Sequence, residues 1–286
     1  MSASRSVALF SHARPGDTDA AMLSLVELAR ERGMNIVVDP DETAKHPALA
    51  GIPGVVLDDG TVGDIAVAVA IGGDGTILRA LRRFAGTGVP VFGVNYGEVG
   101  FLATVDPEEA PEAFERALSG DFETLTLSAI ETELGGRVLT AINDIAITRR
   151  PGDRVADLSY AVDGQEVGRV RCDGVVIATP AGSTGYNLAN RGPVLAWGVE
   201  GFVVSFIAPH SLTARALVVA PDDVLTVRNF SESPVDLSID GRPSGEIAPG
   251  ESIAATFRRE ASDLALLPGW SFYTRLRQKF GRLASS

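Results

Sequence analysis

The period of apolar positions changes near residue 120 of this 286-residue chain. Before that point, short apolar runs alternate with stretches whose apolar residues recur every three to four positions. Residues 6–11 read as a strand. Residues 18–32 carry apolar side chains at 22, 25, 26 and 29, one face of a helix, and Gly33 ends it. A short strand is expected at 35–38, and 40–63, rich in Pro, Gly and Asp, reads as irregular chain. Residues 65–71 are apolar without interruption, as in strands buried on both faces of a parallel sheet. A helix at 76–85, a strand at 89–94 and a helix at 107–118 follow, the last with Asp106 as N-cap and Pro107 in its first position. Strand and helix in alternation predict a doubly wound, Rossmann-like α/β domain over residues 1–120.

From 121 onward the pattern is one of short strands and turns. Residues 124–134 alternate, and Gly135-Gly136 reads as the turn into a strand over 137–148. Strands at 158–162 and 166–171 flank Asp163-Gly164, a second hairpin. Further strands are expected at 174–178, 202–208, 224–227, 235–239 and 252–257. An all-β, sandwich-like domain over 121–260 is the reading. Residues 270–283 are amphipathic and helical, and 261–286 are expected to fold back on the α/β domain.

Composition narrows the partners. A net charge of −12 argues against nucleic acid, whose phosphates demand clustered Lys and Arg. No apolar run reaches the 18 residues of a membrane helix, and no signal-peptide core is expected, so a cytoplasmic protein without membrane partners follows. The single cysteine, Cys172, leaves no internal disulfide and no cysteine-based zinc site. Only Lys45 and Lys279 are lysines among 25 basic residues, against 37 acidic ones. Codon bias accounts for the arginines. The acidity suggests a saline cytoplasm, where ions screen the repulsion.

Two segments carry chemistry. The apolar run at 65–71 ends in Gly72-Gly73-Asp74-Gly75-Thr76, at the entry to a helix. Free N–H groups and the positive end of a helix dipole make such a junction a phosphate site. Asp74 stands within it, and a negative charge facing a bound phosphate is unfavourable unless it handles a proton or a metal. Neither Gly-x-x-x-x-Gly-Lys-Ser/Thr nor the third glycine of a dinucleotide fingerprint is present. A tight structural turn is the competing reading. The second segment is the run at 171–187, where a buried strand emerges into Thr179-Pro180-Ala181-Gly182-Ser183-Thr184-Gly185-Tyr186-Asn187. Its amides and hydroxyls suit a polar ligand, and Tyr186 can cover a ring. Ser183 lacks the Gly-x-Ser-x-Gly spacing of a nucleophile elbow. His12 and His46 point to no chemistry, His210 reads as the cap of its own turn, and Asp240-Gly241 reads as a hairpin turn.

Gly-Gly-Asp-Gly-Thr resembles the phosphate-handling loop of NAD kinases, diacylglycerol and sphingosine kinases and phosphofructokinases. Four further segments have the order and rough spacing of one of these families. They are residues 93–102, Asn143-Asp144, Asp173 through Tyr186, and Pro209-His210-Ser211-Leu212-Thr213-Ala214-Arg215. From about 65 to 260 the chain resembles the NAD kinase family. The resemblance implies phosphoryl transfer to the 2′-hydroxyl of the adenosine ribose of NAD, giving NADP. Asp74 would be the general base. Gly72, Gly73, Gly75 and Thr76 would form the donor-phosphate loop, and Arg79 would hold phosphate or pair with Asp74. Asn143 and Asp144 would bind adenosine, with Asp for the family's Glu. Arg171 and Asp173 would lie toward the nicotinamide end. Ala181 and the stretch Thr184, Gly185, Tyr186, Asn187, Leu188 and Ala189 would contact NAD. ATP or polyphosphate would be the donor, with a divalent metal, Mg²⁺, bridging its phosphates and no residue assigned as its ligand. A homo-oligomer, dimer or tetramer, is implied as well. Departures are Gly185 for Ala, Arg191 for Gly, Glu98 for Arg, Ala216 for Pro and Arg242 for Gln. The alternatives are a catalytically weak NAD(P)-binding sensor, or a lipid or sugar kinase sharing only the Gly-rich loop.

The charge reading makes a prediction. If the acidity is an adaptation to salt, the thermal midpoint rises from low to molar KCl as the −12 charge is screened. A midpoint that stays flat or falls leaves codon bias alone.

Overall fold

The computed structural model describes residues 5–12, 16, 18–58, 64–97, 100–103 and 105–281. Glu98, positions 59–63 of the expected irregular segment and 282–283 of the expected last helix lie outside them. The chain divides into two units, Met1–Thr126 with Ser262–Ser286, and Leu127–Ala261.

The first unit runs β1 (Ser6–Ser11), α1 (Asp19–Glu31), β2 (Asn35–Val38), α2 (Pro40–Lys45), β3 (Val55–Leu57), β4 (Ile65–Gly72), α3 (Asp74–Arg83), β5 (Val91–Asn95) and α4 (Ala110–Ser119). Its strands are parallel in the order β3-β2-β1-β4-β5. Val67, Val69 and Ile71 of β4 point to a core that includes Met22 and Leu25 of α1 and Phe114 of α4. Helix α3 covers the other face, its Ile77 lying over Gly93. Burial on both faces explains why β4 is apolar throughout. The strand order reverses between β1 and β4, and ligands of open α/β sheets bind beyond the carboxyl ends of the strands at such a point. Those ends deliver Ser11 and Gly72.

Three expectations for this unit need correction. The segment 40–63 is not irregular throughout: it holds α2, a 3₁₀ turn at Pro47–Leu49 and β3. The reason is local, for the Asp39 side chain caps α2 by accepting from Asp41 N at 2.9 Å and Pro40 opens the helix. Helix α3 begins two residues earlier than its apolar spacing suggests, with extended Gly73 as N-cap, so Asp74 and Gly75 form its first turn. Asp106 makes no capping bond, because Pro107 opens a 3₁₀ turn and α4 starts only at Ala110.

The second unit begins within β6 (Glu123–Leu134). It continues through β7 (Arg137–Ala141), β8 (Asp144–Arg149), β9 (Ala156–Val162), β10 (Gln165–Cys172), β11 (Gly174–Ala178), α5 (Tyr186–Ala189), β12 (Phe202–Ile207), β13 (Leu217–Val219), β14 (Leu225–Asn229), β15 (Val235–Ile239), β16 (Arg242–Ile247) and β17 (Ser252–Leu266). One antiparallel layer is β13-β12-β11-β8-β15-β16; the other holds β10, β9, β14 and β17 with β6 and β7. Ile145, Ile147, Val175 and Ile177 of the first layer meet Leu158, Leu225, Val227 and Ile253 of the second in one core. The single strand expected at 137–148 is two. It breaks at Ile142-Asn143, where the chain crosses from one layer to the other.

Strand β17 continues into the first unit, where Leu264 and Ala265 pair in parallel with β5. It is followed by α6 (Phe272–Gly281), whose Phe272 and Phe280 rings lie 6.3 and 6.5 Å from Phe101. Arg275 of α6 donates to the Ala103 carbonyl. Among the described residues no helix is long and apolar enough to cross a membrane.

A buried polar network ties β1, α2 and α3 together. Glu42 of α2 is 1 % exposed. It accepts from Ser11 N at 3.1 Å, from the Ser11 hydroxyl, from Lys45 at 3.0 Å and from Arg79 of α3. His46, expected to do nothing, is buried with Nε2 2.7 Å from Ser11 Oγ and Nδ1 2.7 Å from Asp19. Ser11, His46 and Asp19 have the spacing of a nucleophile triad, but Ser11 is enclosed and its hydroxyl is spent on Glu42. The network is a structural tie. Removing one partner of a buried ion pair strands the other. Glu42→Ala is therefore expected to lower unfolding free energy by about 3 kcal/mol, the lower end of that range, since Arg79 and Lys45 are partly exposed. Denaturant titration measures it; a loss under about 1 kcal/mol, as for a surface pair, would show that the network carries little.

Candidate active site

In the first unit, the sheet and α3 set Asp74 at the carboxyl end of β4. Its Oδ2 accepts from Phe101 N at 2.8 Å and its Oδ1 from Leu102 N at 3.1 Å. Each carboxylate oxygen has two lone pairs, so both keep one free to accept a further proton donor. Gly100 makes this contact possible, because a Cβ there would fall on the Asp74 carboxylate. Gly72 has a different task from the one its motif suggests: its missing Cβ makes room for the buried side chain of Thr76. Gly73 N-caps α3 and passes close to the backbone of Gly97, while Gly75 is exposed with open space where a Cβ would stand. Of the loop's glycines, Gly75 offers a ligand the freest approach. Arg79 does not pair with Asp74. It donates to Glu42 and to Ser11 O at 3.0 Å, with its guanidinium 5.4 Å from the Phe10 ring centre. A cavity of about 920 Å³ lined by Arg32, Gly33, Ala66 and Phe122 lies at the other, amino end of the strands and has no part in this geometry.

In the second unit, Asn143 and Asp144 occupy the crossing between β7 and β8. The Asp240 carboxylate accepts from Ile142 N at 3.2 Å, Asn143 N at 2.7 Å and Asp144 N at 3.1 Å. Thr179 holds the same corner from β11, donating its hydroxyl to Ile142 O at 2.7 Å and its amide to Asn143 O at 2.9 Å. The Asn143 side-chain oxygen is buried and has no hydrogen-bond partner among the described residues. Burial first, then the charge of Asp240, push the Asp144 carboxyl up from 3.8 to about 7. Between those values the folded chain keeps a proton that the unfolded chain has released, so this group withdraws stability as pH rises through that window.

Gly185 lies beside the corner: a Cβ on it would stand 3.9 Å from Asp144 Oδ2 and 4.0 Å from Asn143 Nδ2. Tyr186 is 41 % exposed. Its hydroxyl is shifted upward by burial and by the charges of Asp144 and Asp173. Thr184 bonds within the loop, to Ala181 O at 3.0 Å, and Ala181 is buried. Asn187 is fully buried and binds Ser183 O and Pro193 O, both at 2.9 Å, so its amide shapes the loop. Leu188 is half-buried and Ala189 exposed. Ser183 is likewise internal, with its hydroxyl donating to Pro180 O at 2.7 Å. Asp173 pairs with Arg149 at 2.7 Å rather than with Arg171, which is exposed. Asn143, Asp144, Gly185 and Tyr186 thus come together within this unit.

Sequence reasoning missed Glu42, Gly100, Thr179 and the second role of Asp240. Asp240-Gly241 is the hairpin turn it was read as, with φ of 46° and 73°, but its carboxylate reaches a segment 96 to 98 residues away. Among the described residues no three His, Cys, Asp or Glu converge as a metal cage.

Residues 25–122 match the ATP-NAD kinase N-terminal domain and residues 142–261 the ATP-NAD kinase C-terminal domain. The NAD kinase of Symbiobacterium thermophilum is 37% identical over 244 residues, 82% of this chain and 86% of that protein. An Archaeoglobus fulgidus NAD kinase crystallised with ATP superposes with a TM-score of 0.73 at 25% identity, over 99% of both chains. Yeast NADH kinase crystallised with NADH shares the fold, with a TM-score of 0.88 at 24% identity, over 99% of this chain and 89% of that one. The chain is a member of the NAD kinase family.

Proposed function

We propose that the protein is an NAD kinase that moves a phosphoryl group from ATP or polyphosphate to the 2′-hydroxyl of the adenosine ribose of NAD, giving NADP. The observation that carries the reading is Asp74, a carboxylate at the first turn of α3 held by two backbone amides with acceptor capacity to spare. As the 2′-oxygen forms its bond to phosphorus, the hydroxyl proton passes to Asp74 and the bond from phosphorus to the donor's bridging oxygen breaks. Proton transfer supplies a modest share of the rate, and positioning with charge neutralisation supplies most of it. The N–H groups of Asp74 and Gly75 in the first turn of α3, with the dipole of that helix, favour the donor phosphates. A divalent cation such as Mg²⁺ binds through phosphates and waters with at most one or two carboxylates, which suits a site with no cage among the described residues. When bound it neutralises phosphate charge.

NAD binding is assigned to the second unit. The buried Asn143 oxygen, without a partner among the described residues, supports Asn143 as the residue that meets adenosine, and Asp144 beside it is the candidate acceptor of a ribose hydroxyl. Tyr186 supplies an exposed ring. Arg171 and Asp173 remain the candidates toward the nicotinamide end. The same proposal makes the protein a cytoplasmic homo-oligomer, a dimer or tetramer, working in NADP biosynthesis.

Incubation with NAD, ATP and Mg²⁺, read through an NADP-specific dehydrogenase, tests the activity, and polyphosphate in place of ATP tests the donor. Asp74→Asn keeps shape and removes basicity, so turnover is expected to fall by about 10²–10⁴-fold with NAD affinity little changed. Turnover within threefold of the parent would rule Asp74 out as the base. Asn143→Ala is expected to raise the Michaelis constant for NAD by the equivalent of about 1–3 kcal/mol while that for the donor moves much less. Both constants unchanged would mean that NAD is bound elsewhere.

A further inference from the structure

We propose that Asp240 is a positioning residue for dinucleotide binding, its carboxylate gathering three successive amides so that Asn143 and Asp144 are offered to the ligand from one rigid corner. The inference rests on the assignment of NAD to that corner and adds a residue that does not touch the ligand.

The corner needs such a device. Between β7 and β8 the chain leaves one layer of the sandwich and enters the other, so the amides of Ile142, Asn143 and Asp144 cannot all be satisfied by ladder bonds. Buried amides without acceptors are costly. Asp240 meets all three at 2.7 to 3.2 Å, and its own amide donates to Asp144 O at 2.8 Å, closing the loop in both directions. The turn that carries it, Asp240-Gly241 between β15 and β16, has both residues at positive φ. Strand β15 also pairs directly with β8, Ile239 against Ile145, so the turn arrives at a fixed height beside the corner. Charge-assisted bonds from amides to a carboxylate are about twice as strong as neutral ones. Without them, Asn143 and Asp144 would sample several backbone positions, and binding would have to order them.

The charge of Asp240 leaves a second mark. The charged group that bears on Asp144 is Asp240 from the β15–β16 turn, while Asp144 itself and Asp173, from beyond β10, act on Tyr186 at the start of α5. Burial and Asp240 both disfavour the ionised form of Asp144. A ribose hydroxyl is held best by the ionised form, so the Michaelis constant for NAD should improve as pH rises through about 7. Replacing Asp240 by an uncharged residue should move that inflection to lower pH, while the positioning role is read from the Michaelis constant for NAD at pH values where Asp144 is ionised.

The experiment is steady-state kinetics of the full-length protein from pH 6 to 8.5 with NAD and ATP varied in turn. Asparagine tolerates positive φ, so Asp240→Asn removes charge with little strain. It should raise the Michaelis constant for NAD by about tenfold at pH 8, change turnover and the constant for ATP by less than about twofold, and shift the inflection downward. Asp240→Glu keeps the charge and displaces it. It should raise the constant for NAD with the inflection unmoved, and it serves if the asparagine variant fails to fold by circular dichroism. Asn143→Ala separates the two readings. If it leaves the constant for NAD unchanged, the site assignment fails. If it raises that constant while both Asp240 variants keep the parent's constant for NAD at pH 8, the positioning role of Asp240 is overturned, whether or not the inflection moves.

Discussion

Asp74 is received by the amides of Phe101 and Leu102, 27 and 28 residues further along the chain. A carboxylate drawn partly out of water needs donors, and here a second loop brought back over the first supplies two. Much of the first unit follows from that requirement. Gly100 must lack a side chain for the loop to close. Phe101 then packs against the rings of Phe272 and Phe280, with Lys279 Nζ 4.5 Å from its centre, and Arg275 takes the Ala103 carbonyl. The last helix of the chain thereby braces the segment that holds the carboxylate.

The same solution recurs where other carboxylates are enclosed. Glu42 collects Ser11, Lys45 and Arg79 and ties the end of β1 to α3, whose first turn carries Asp74. Asp240 collects three amides at the corner between the two layers of the second unit. In each case an acid outside the reacting atoms sets the backbone that presents the polar residues. Asp144 differs: it is buried beside another acid, and its raised proton affinity reports the conflict. That conflict sits beside the acceptor of Asn143 that has no partner among the described residues, as expected where a ligand completes the hydrogen bonding.

What the sequence determined by itself is whatever depends on period and on contiguous motif. Strands β1, β2, β4 and β11 follow from unbroken or alternating apolar runs, because a strand's burial is written into neighbouring residues. The hairpin turns at Asp163-Gly164 and Asp240-Gly241 follow from residues that accept positive φ. The Gly-Gly-Asp-Gly-Thr junction was legible because strand, turn and helix N-terminus lie within a dozen residues. Only the tertiary structure decided the partners. It turned Arg79 to Glu42, split residues 137–148 between two layers, sealed Ser183 and Asn187 inside a loop and made His46 a buried bridge. The physical reason is the same in every case. A side chain's hydrogen-bond partner is set by where distant segments meet, and no local pattern of hydrophobicity or spacing records that meeting.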